Sequence, residues 1–147
     1  MTKNEILSML NAMIAESKTA VLATVEHNRP HLRWMTPAML PDHPESIFML
    51  SSPHLAKVAQ ALTNPDVEML FQTKALHKVI TVEGNLIVHT NAALHSEILE
   101  AAAARLRVLW KMNADLHDLV ALELVIRKAV YTQPMKGEKT IVTFAEE

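Results

Sequence analysis

The sequence predicts an α+β fold in which an antiparallel sheet curls into a barrel. Strand-patterned segments follow one another through short turns, as hairpins do, and the helical segments interrupt them without a regular βαβ alternation. A chain of 147 residues, half of them apolar and a fifth charged, is sized for one domain over residues 1–147. At that length roughly two thirds of the unfolded surface is buried, so neither a disulfide nor a structural metal is needed for folding.

The first element is a helix. Thr2 and Glu5 have capping-box spacing, and Ile6, Leu10, Met13 and Ile14 fall on one face, widened by Leu7, over about four turns. Thr19 to Val25 turns to β-branched and small residues. The turn His27-Asn28-Arg29-Pro30 precedes a second extended stretch, His31 to Thr36, which predicts a hairpin. Pro37, Pro41 and Pro44 cannot donate to a ladder, so Pro37 to Glu45 is expected to be a loop or irregular edge before a strand at Ile47 to Leu50.

Ser52-Pro53 reads as a helix start, with Leu55, Val58, Ala59 and Leu62 at helical spacing and Asn64-Pro65 as the stop. Strands are expected at Val67 to Gln72 and Val79 to His89, the second with a bulge or close backbone approach at Gly84. Asn91 caps a long Ala-rich helix to about Met112, with Leu94, Ile98, Leu99, Ala102, Leu106 and Leu109 or Trp110 as its buried stripe. Val120 to Thr132 alternates as a strand, and Thr140 to Phe144 is a candidate last one.

Composition excludes several function classes. The only glycines, Gly84 and Gly137, leave no Gly-rich phosphate loop or dinucleotide turn. Fourteen Lys and Arg against sixteen Asp and Glu give no electrostatic footprint for nucleic acid. Without cysteine there is no thiolate nucleophile or zinc cluster. No run approaches the roughly 18 apolar residues of a membrane helix and no signal peptide pattern opens the chain, so a cytoplasmic setting is expected. Eight histidines occur, but not in H-E-x-x-H or another tight ligand pair, so no metal site is expected. The nine methionines read as adaptable core or interface filler. Without G-x-S-x-G or a recognisable acid/base carboxylate pair, no catalytic residue is assigned.

One anion site is suggested. Ser51 and Ser52 stand at a helix start, where hydroxyls, free backbone donors and the positive dipole end favour an anion. Lys57 lies further in, and a strand-borne Arg33 would add a fork of donors. Ordinary N-capping with solvated cations accounts for the same residues.

These segments resemble the pyridoxamine 5'-phosphate oxidase-like, FMN-binding split β-barrels, over about residues 5 to 132. The matching motifs are Pro30, Arg33 and Met35; Ile47-Phe48-Met49-Leu50-Ser51-Ser52 with Lys57; Asn64-Pro65-Asp66-Val67; and Val82-Glu83-Gly84. The resemblance implies a split barrel with flanking helices and a homodimer holding FMN at the subunit interface. Arg33, Trp34, Met35 and Thr36 would line the flavin, Ser51 and Ser52 the phosphate or ribityl chain, and Lys57 the phosphate. The chain has Leu55 and Ala56 where the family's phosphate loop has Ser and Arg, and Val79 where a glutamine is frequent; His54 or Lys78 are candidate substitute donors. The implied activity is a flavin-dependent oxidoreductase acting on a small molecule. The rival is a non-catalytic flavin- or haem-binding module on the same barrel, with histidine as axial ligand.

Overall fold

Local chemistry sets the first helix. In the computed structural model, which describes residues 1–51, 63–101 and 120–144, Thr2 Oγ1 accepts from the Glu5 N–H at 3.1 Å. Glu5 Oε2 in turn accepts from the Thr2 N–H at 2.9 Å, closing the capping box. Helix α1 (Lys3–Ser17) buries the expected stripe and ends at Lys18, in the left-handed conformation, whose N–H donates to the Ile14 carbonyl.

Among the described residues eight strands follow: β1 (Ala20–Glu26), β2 (Arg29–Met35), β3 (Ala38–Leu40), β4 (His43–Ser51), β5 (Asp66–Gln72), β6 (Val79–His89), β7 (Val120–Gln133) and β8 (Glu138–Thr143). His27 and Asn28 both have positive φ, the requirement of a two-residue primed turn, and set Glu26 opposite Arg29 in the β1–β2 hairpin. All ladders are antiparallel, in the order β2-β1-β5-β6-β7-β4-β3, with β8 also on β7. The long β7 has β6 on one flank; β4 pairs with its first half and β8 with its second.

The two edge strands, β2 and β3, are consecutive in sequence and joined through Thr36 and Pro37. This short link holds the two edges of the curled sheet near each other, which makes the fold an antiparallel split β-barrel. The barrel interior is filled by one cluster, including Leu22, Met49, Met69, Phe71, Val82 and Leu122, with α1 packed against it. Residues 92–101 are helical and lie on the outer face of β4 and β7, where Ile98 joins Phe48, Leu50 and Ala121. Asn91 Oδ1 caps that helix, accepting from the Ala93 N–H at 2.9 Å.

One expectation needs correction. The Pro37 to Glu45 stretch contains a strand, β3, and β4 starts at His43 rather than Ile47. The prolines fit because none is required to donate: Pro37 precedes β3, Pro41 lies in the turn between Leu40 and His43, and Pro44 precedes the β4–β7 pairing that begins at Ser46. The bulge expected at Gly84 is present as a register shift between Glu83 and Gly84. The helices expected from Ser52 to Leu62 and beyond residue 101 lie outside the described residues.

Candidate functional site

Alternation along β2 divides the residues expected to line one site. Arg33 pairs with Leu22 and Met35 with Ala20, both buried, so these two side chains share the inner face. Leu32 and Trp34 point to the opposite, outer face and are 71% and 51% exposed. Met35 is part of the core.

Arg33 is held from below. Its Nη1 donates to Oγ1 of the fully buried Thr24 at 2.6 Å, a diagonal contact across the β1–β2 hairpin. Burial lowers the guanidinium pKa from its ordinary value, as expected for a cation partly stripped of water. Thr24 is a residue that sequence reasoning did not select; its signal is a threonine at an inward position in an otherwise apolar strand.

Beyond Met35 the chain passes through Thr36 into β3. The pairing of Ala38 with Phe48 runs the chain back along β4, so Thr36, two residues before Ala38, and Ser51, three after Phe48, lie at the same end of the β3–β4 ribbon. Both are buried. The structure therefore brings Arg33, Thr36 and Ser51 towards one seam of the barrel. Ser52 and Lys57 lie outside the described residues.

Lys78 is elsewhere. It precedes β6, whose far end, His89, pairs with Ala121 next to Val120, the partner of Ser51. At about 3.3 Å per residue, Lys78 is roughly 36 Å along the strand from that end. The Thr73 hydroxyl accepts from the Lys78 N–H at 3.2 Å, and the Thr73 N–H donates to the Lys78 carbonyl at 3.1 Å. This closed turn presents Lys78 to a groove against α1.

A second polar group was also not selected. Glu123 takes a hydrogen bond from the Ser46 hydroxyl at 2.7 Å and contacts His89 Nε2 at 2.8 Å. These residues come from three strands, on the outer face beside Phe48 and Ala121. Among the described residues no cluster of three or more His, Cys, Asp or Glu is arranged to hold a metal ion, and no helix is long and apolar enough to cross a membrane.

The family model for pyridoxamine 5'-phosphate oxidase matches residues 7–133, which includes both sides of the barrel seam. The chain belongs to the pyridoxamine 5'-phosphate oxidase-like family. No curated protein matches the sequence. Solved structures place this family member among barrels of the same architecture at low identity. A NimC/NimA family protein from Clostridium acetobutylicum superposes with a TM-score of 0.77 at 18% identity, covering 94% of this chain and 92% of that one. A pyridoxamine 5'-phosphate oxidase-related, FMN-binding protein from Nostoc punctiforme gives 0.64 at 16% identity, with 98% and 97% covered. A haem-binding protein from Mycobacterium smegmatis gives 0.72 at 16% identity, covering 93% of this chain but 57% of its own. At these identities the likeness is one of fold, so the function of this pyridoxamine 5'-phosphate oxidase-like chain has to be argued from its own residues.

Proposed function

We propose that the protein is a cytoplasmic, homodimeric FMN-binding protein, one domain over residues 1–147, acting as a flavin-dependent oxidoreductase on a small molecule. The observation that carries this reading is the half-buried Arg33 guanidinium, pinned by Thr24 at 2.6 Å on the strand that leads into the buried Thr36, which shares one end of the β3–β4 ribbon with the buried Ser51. A partly desolvated planar cation with nearby hydroxyls is a donor set suited to a phosphate ester, because charge-assisted hydrogen bonds strengthen where water is thinned. The family resemblance adds Ser52 and Lys57 from the helix start. Lys78, the candidate substitute donor, stays in the proposed set, lying in its own chain beside α1.

Bound flavin would supply electron and hydride acceptance, and the chain would bind and orient it. Arg33 would fix the phosphate, while Thr36 and Ser51 would shield and hydrogen-bond the ribityl end. Trp34, on the opposite face of β2, is available to a second copy of the chain.

The dimer reading draws on that outer face. Cross-strand pairing sets Trp34, Val21, Leu70, Thr81, Val130 and Ile141 in one row over six strands, with Ile141 57% exposed at its end. A continuous, largely apolar row that reaches water is the kind of surface a partner covers.

Titration of FMN and riboflavin into the apoprotein, read by quenching of flavin fluorescence, tests the site. Tight FMN binding and weak riboflavin binding are expected. Equal affinity for the two would remove the phosphate site, and a Soret band with haem in place of flavin binding would favour the haem-binding reading. Bound FMN that no nicotinamide, amine or quinone reduces or reoxidises would leave a binding module instead of an enzyme.

A further inference from the structure

The β5–β6 and β7–β8 turns overhang one end of the sheet. Gln72 pairs with Val79, Val79 with Thr132 and Thr132 with Lys139, so the four strands finish in one line. At about 4.8 Å between strands, the two turns are centred roughly 10 Å apart. Val21 opposite Leu70 brings the start of β1 to the same end, with Lys18 just before it. Ser17 Oγ fastens it there by donating to the Gln72 carbonyl at 2.6 Å.

Each turn carries an aliphatic residue that faces water. Leu76 is 47% exposed and Met135 82%. Leu76 also has a φ of 56°, the left-handed conformation that Asn or Gly adopts at less cost. Both tips are ordered: the Leu76 N–H donates to the Thr73 carbonyl at 3.0 Å, and the Gly137 N–H to the Gln133 carbonyl at 2.9 Å.

Positive charge gathers around these tips, although the chain as a whole has a net charge of −2. Lys18, Lys74, Lys136 and Lys139 are all exposed, with His77 in the first turn and Lys78 behind it beside α1. The carboxylates at this end are Glu16 and Glu138; that of Glu5, at the start of α1, is taken by the Thr2 N–H. Among the described residues none of the four lysines enters an ion pair.

We propose that this end of the barrel docks on an anionic lipid bilayer, with Leu76 and Met135 inserted at the boundary of headgroups and acyl chains and the four lysines over the lipid charges. Lysines gain from a negative membrane surface, and aliphatic side chains gain from leaving water at its acyl boundary. A nucleic acid would use the lysines but leave the two tips in water, since neither tip has an aromatic ring for a base to stack on. An acidic protein would need two sockets at the spacing of the tips, whereas a bilayer takes both without any.

The test mixes the full chain with large vesicles of phosphatidylcholine containing phosphatidylserine, and with vesicles of phosphatidylcholine alone, and separates bound from free protein by sedimentation. At about 0.1 M salt, where charge is felt over roughly 10 Å, binding to the phosphatidylserine vesicles only is expected, and it should fall at about 1 M. Lys74→Gln and Lys136→Gln should each weaken it roughly fivefold, since a lysine near such a surface contributes about 1 kcal/mol. Leu76→Asn and Met135→Ser, which leave the charge unchanged, should each weaken it roughly tenfold, with far-UV circular dichroism as for wild type. The chain has no cysteine, so Met135→Cys accepts a single polarity-sensitive dye, whose emission should shift to the blue on the anionic vesicles. The same dye on His27→Cys, in the β1–β2 turn at the opposite end of β1, should show no shift. Three results overturn the proposal: no binding to the anionic vesicles, binding that Leu76→Asn and Met135→Ser leave unchanged, or tighter binding to a duplex oligonucleotide than to the vesicles.

Discussion

Glu123 and His89 meet at 2.8 Å across the β6–β7 ladder, with the second carboxylate oxygen of Glu123 taken by the Ser46 hydroxyl. With the carboxylate charged, the imidazole has to donate through Nε2, which fixes the tautomer of a neutral His89. Burial pushes the Glu123 pKa up. The hydrogen bonds from Ser46 and His89, with the charges of His89 and His43, outweigh it and leave the group below its ordinary value.

The sign of the linkage follows. A depressed folded-state pKa contributes stability that is complete above the unfolded Glu value of about 4.3 and is lost as pH falls through the folded value. Glu123→Gln, which turns an N–H₂ towards one of the two donors, should cost about 1–3 kcal/mol at neutral pH. Urea unfolding at pH 7, 5 and 3 checks this: the deficit should persist at pH 5 and shrink by pH 3. An equal deficit at all three would mean that the charge on Glu123 is irrelevant.

Gly84 allows no side chain. A Cβ there would run into the Val125 carbonyl oxygen and the Leu124 side chain, and a ladder carbonyl cannot step aside. Gly84→Ala should therefore lose stability at or above the top of the usual overpacking range of about 1–3 kcal/mol. A denaturation midpoint within error of wild type would contradict the close approach at the bulge.

Thr24 sets the aim of Arg33. Thr24→Val keeps the shape of a fully buried side chain and removes the acceptor 2.6 Å from the guanidinium. Hydrogen bonds to charged groups are worth roughly 1.5–3 kcal/mol, so FMN affinity should fall about tenfold or more, with riboflavin little changed. Arg33→Ala and Lys57→Ala, which remove the charge itself, should each weaken FMN by at least roughly thirtyfold. Fluorescence titration of the two flavins separates a lost phosphate contact from a damaged fold, since only the former discriminates between them.

Trp34 carries the prediction for assembly. Trp34→Glu places a charge in the outer-face row without touching the interior, so light scattering at micromolar concentration should show the wild type as a dimer and the variant as a monomer with unchanged far-UV circular dichroism. A wild type of 16.4 kDa in solution would rule out the dimer.

Local grammar was enough to locate much of the fold. The Thr2–Glu5 box, the α1 stripe and the alternation of Val79 to His89 each lie within one element, so adjacent residues reveal them. β3 escapes that reading because three residues between prolines have no periodicity of their own; pairing with β4 makes them a strand. The site divides in the same way. Arg33 on a strand was readable, but its anchor on Thr24 depends on the hairpin register that pairs it with Leu22. The Ser46–Glu123–His89 group joins residues 77 and 34 positions apart, a distance at which sequence spacing has no meaning. Lys78 was named for its position next to Val79; that the turn closed by Thr73 also sets it beside α1 depends on the β5–β6 pairing and is not legible in spacing.

The pairing of β4 with β7 has a consequence for how the chain matures. Ser51 finds its ladder partner only at Val120, and Ser46 only at Val125. Hairpins such as β1–β2 and β7–β8 can zip early, but the closing of so long a loop must precede any reward from this central ladder, which puts the protein among slow folders. During synthesis the apolar β4 leaves the ribosome with one edge unfilled, and it stays so until β7 has been translated. For that interval the nascent chain carries an open template for strand addition, which makes this stretch of elongation its point of greatest exposure to aggregation and to chaperones.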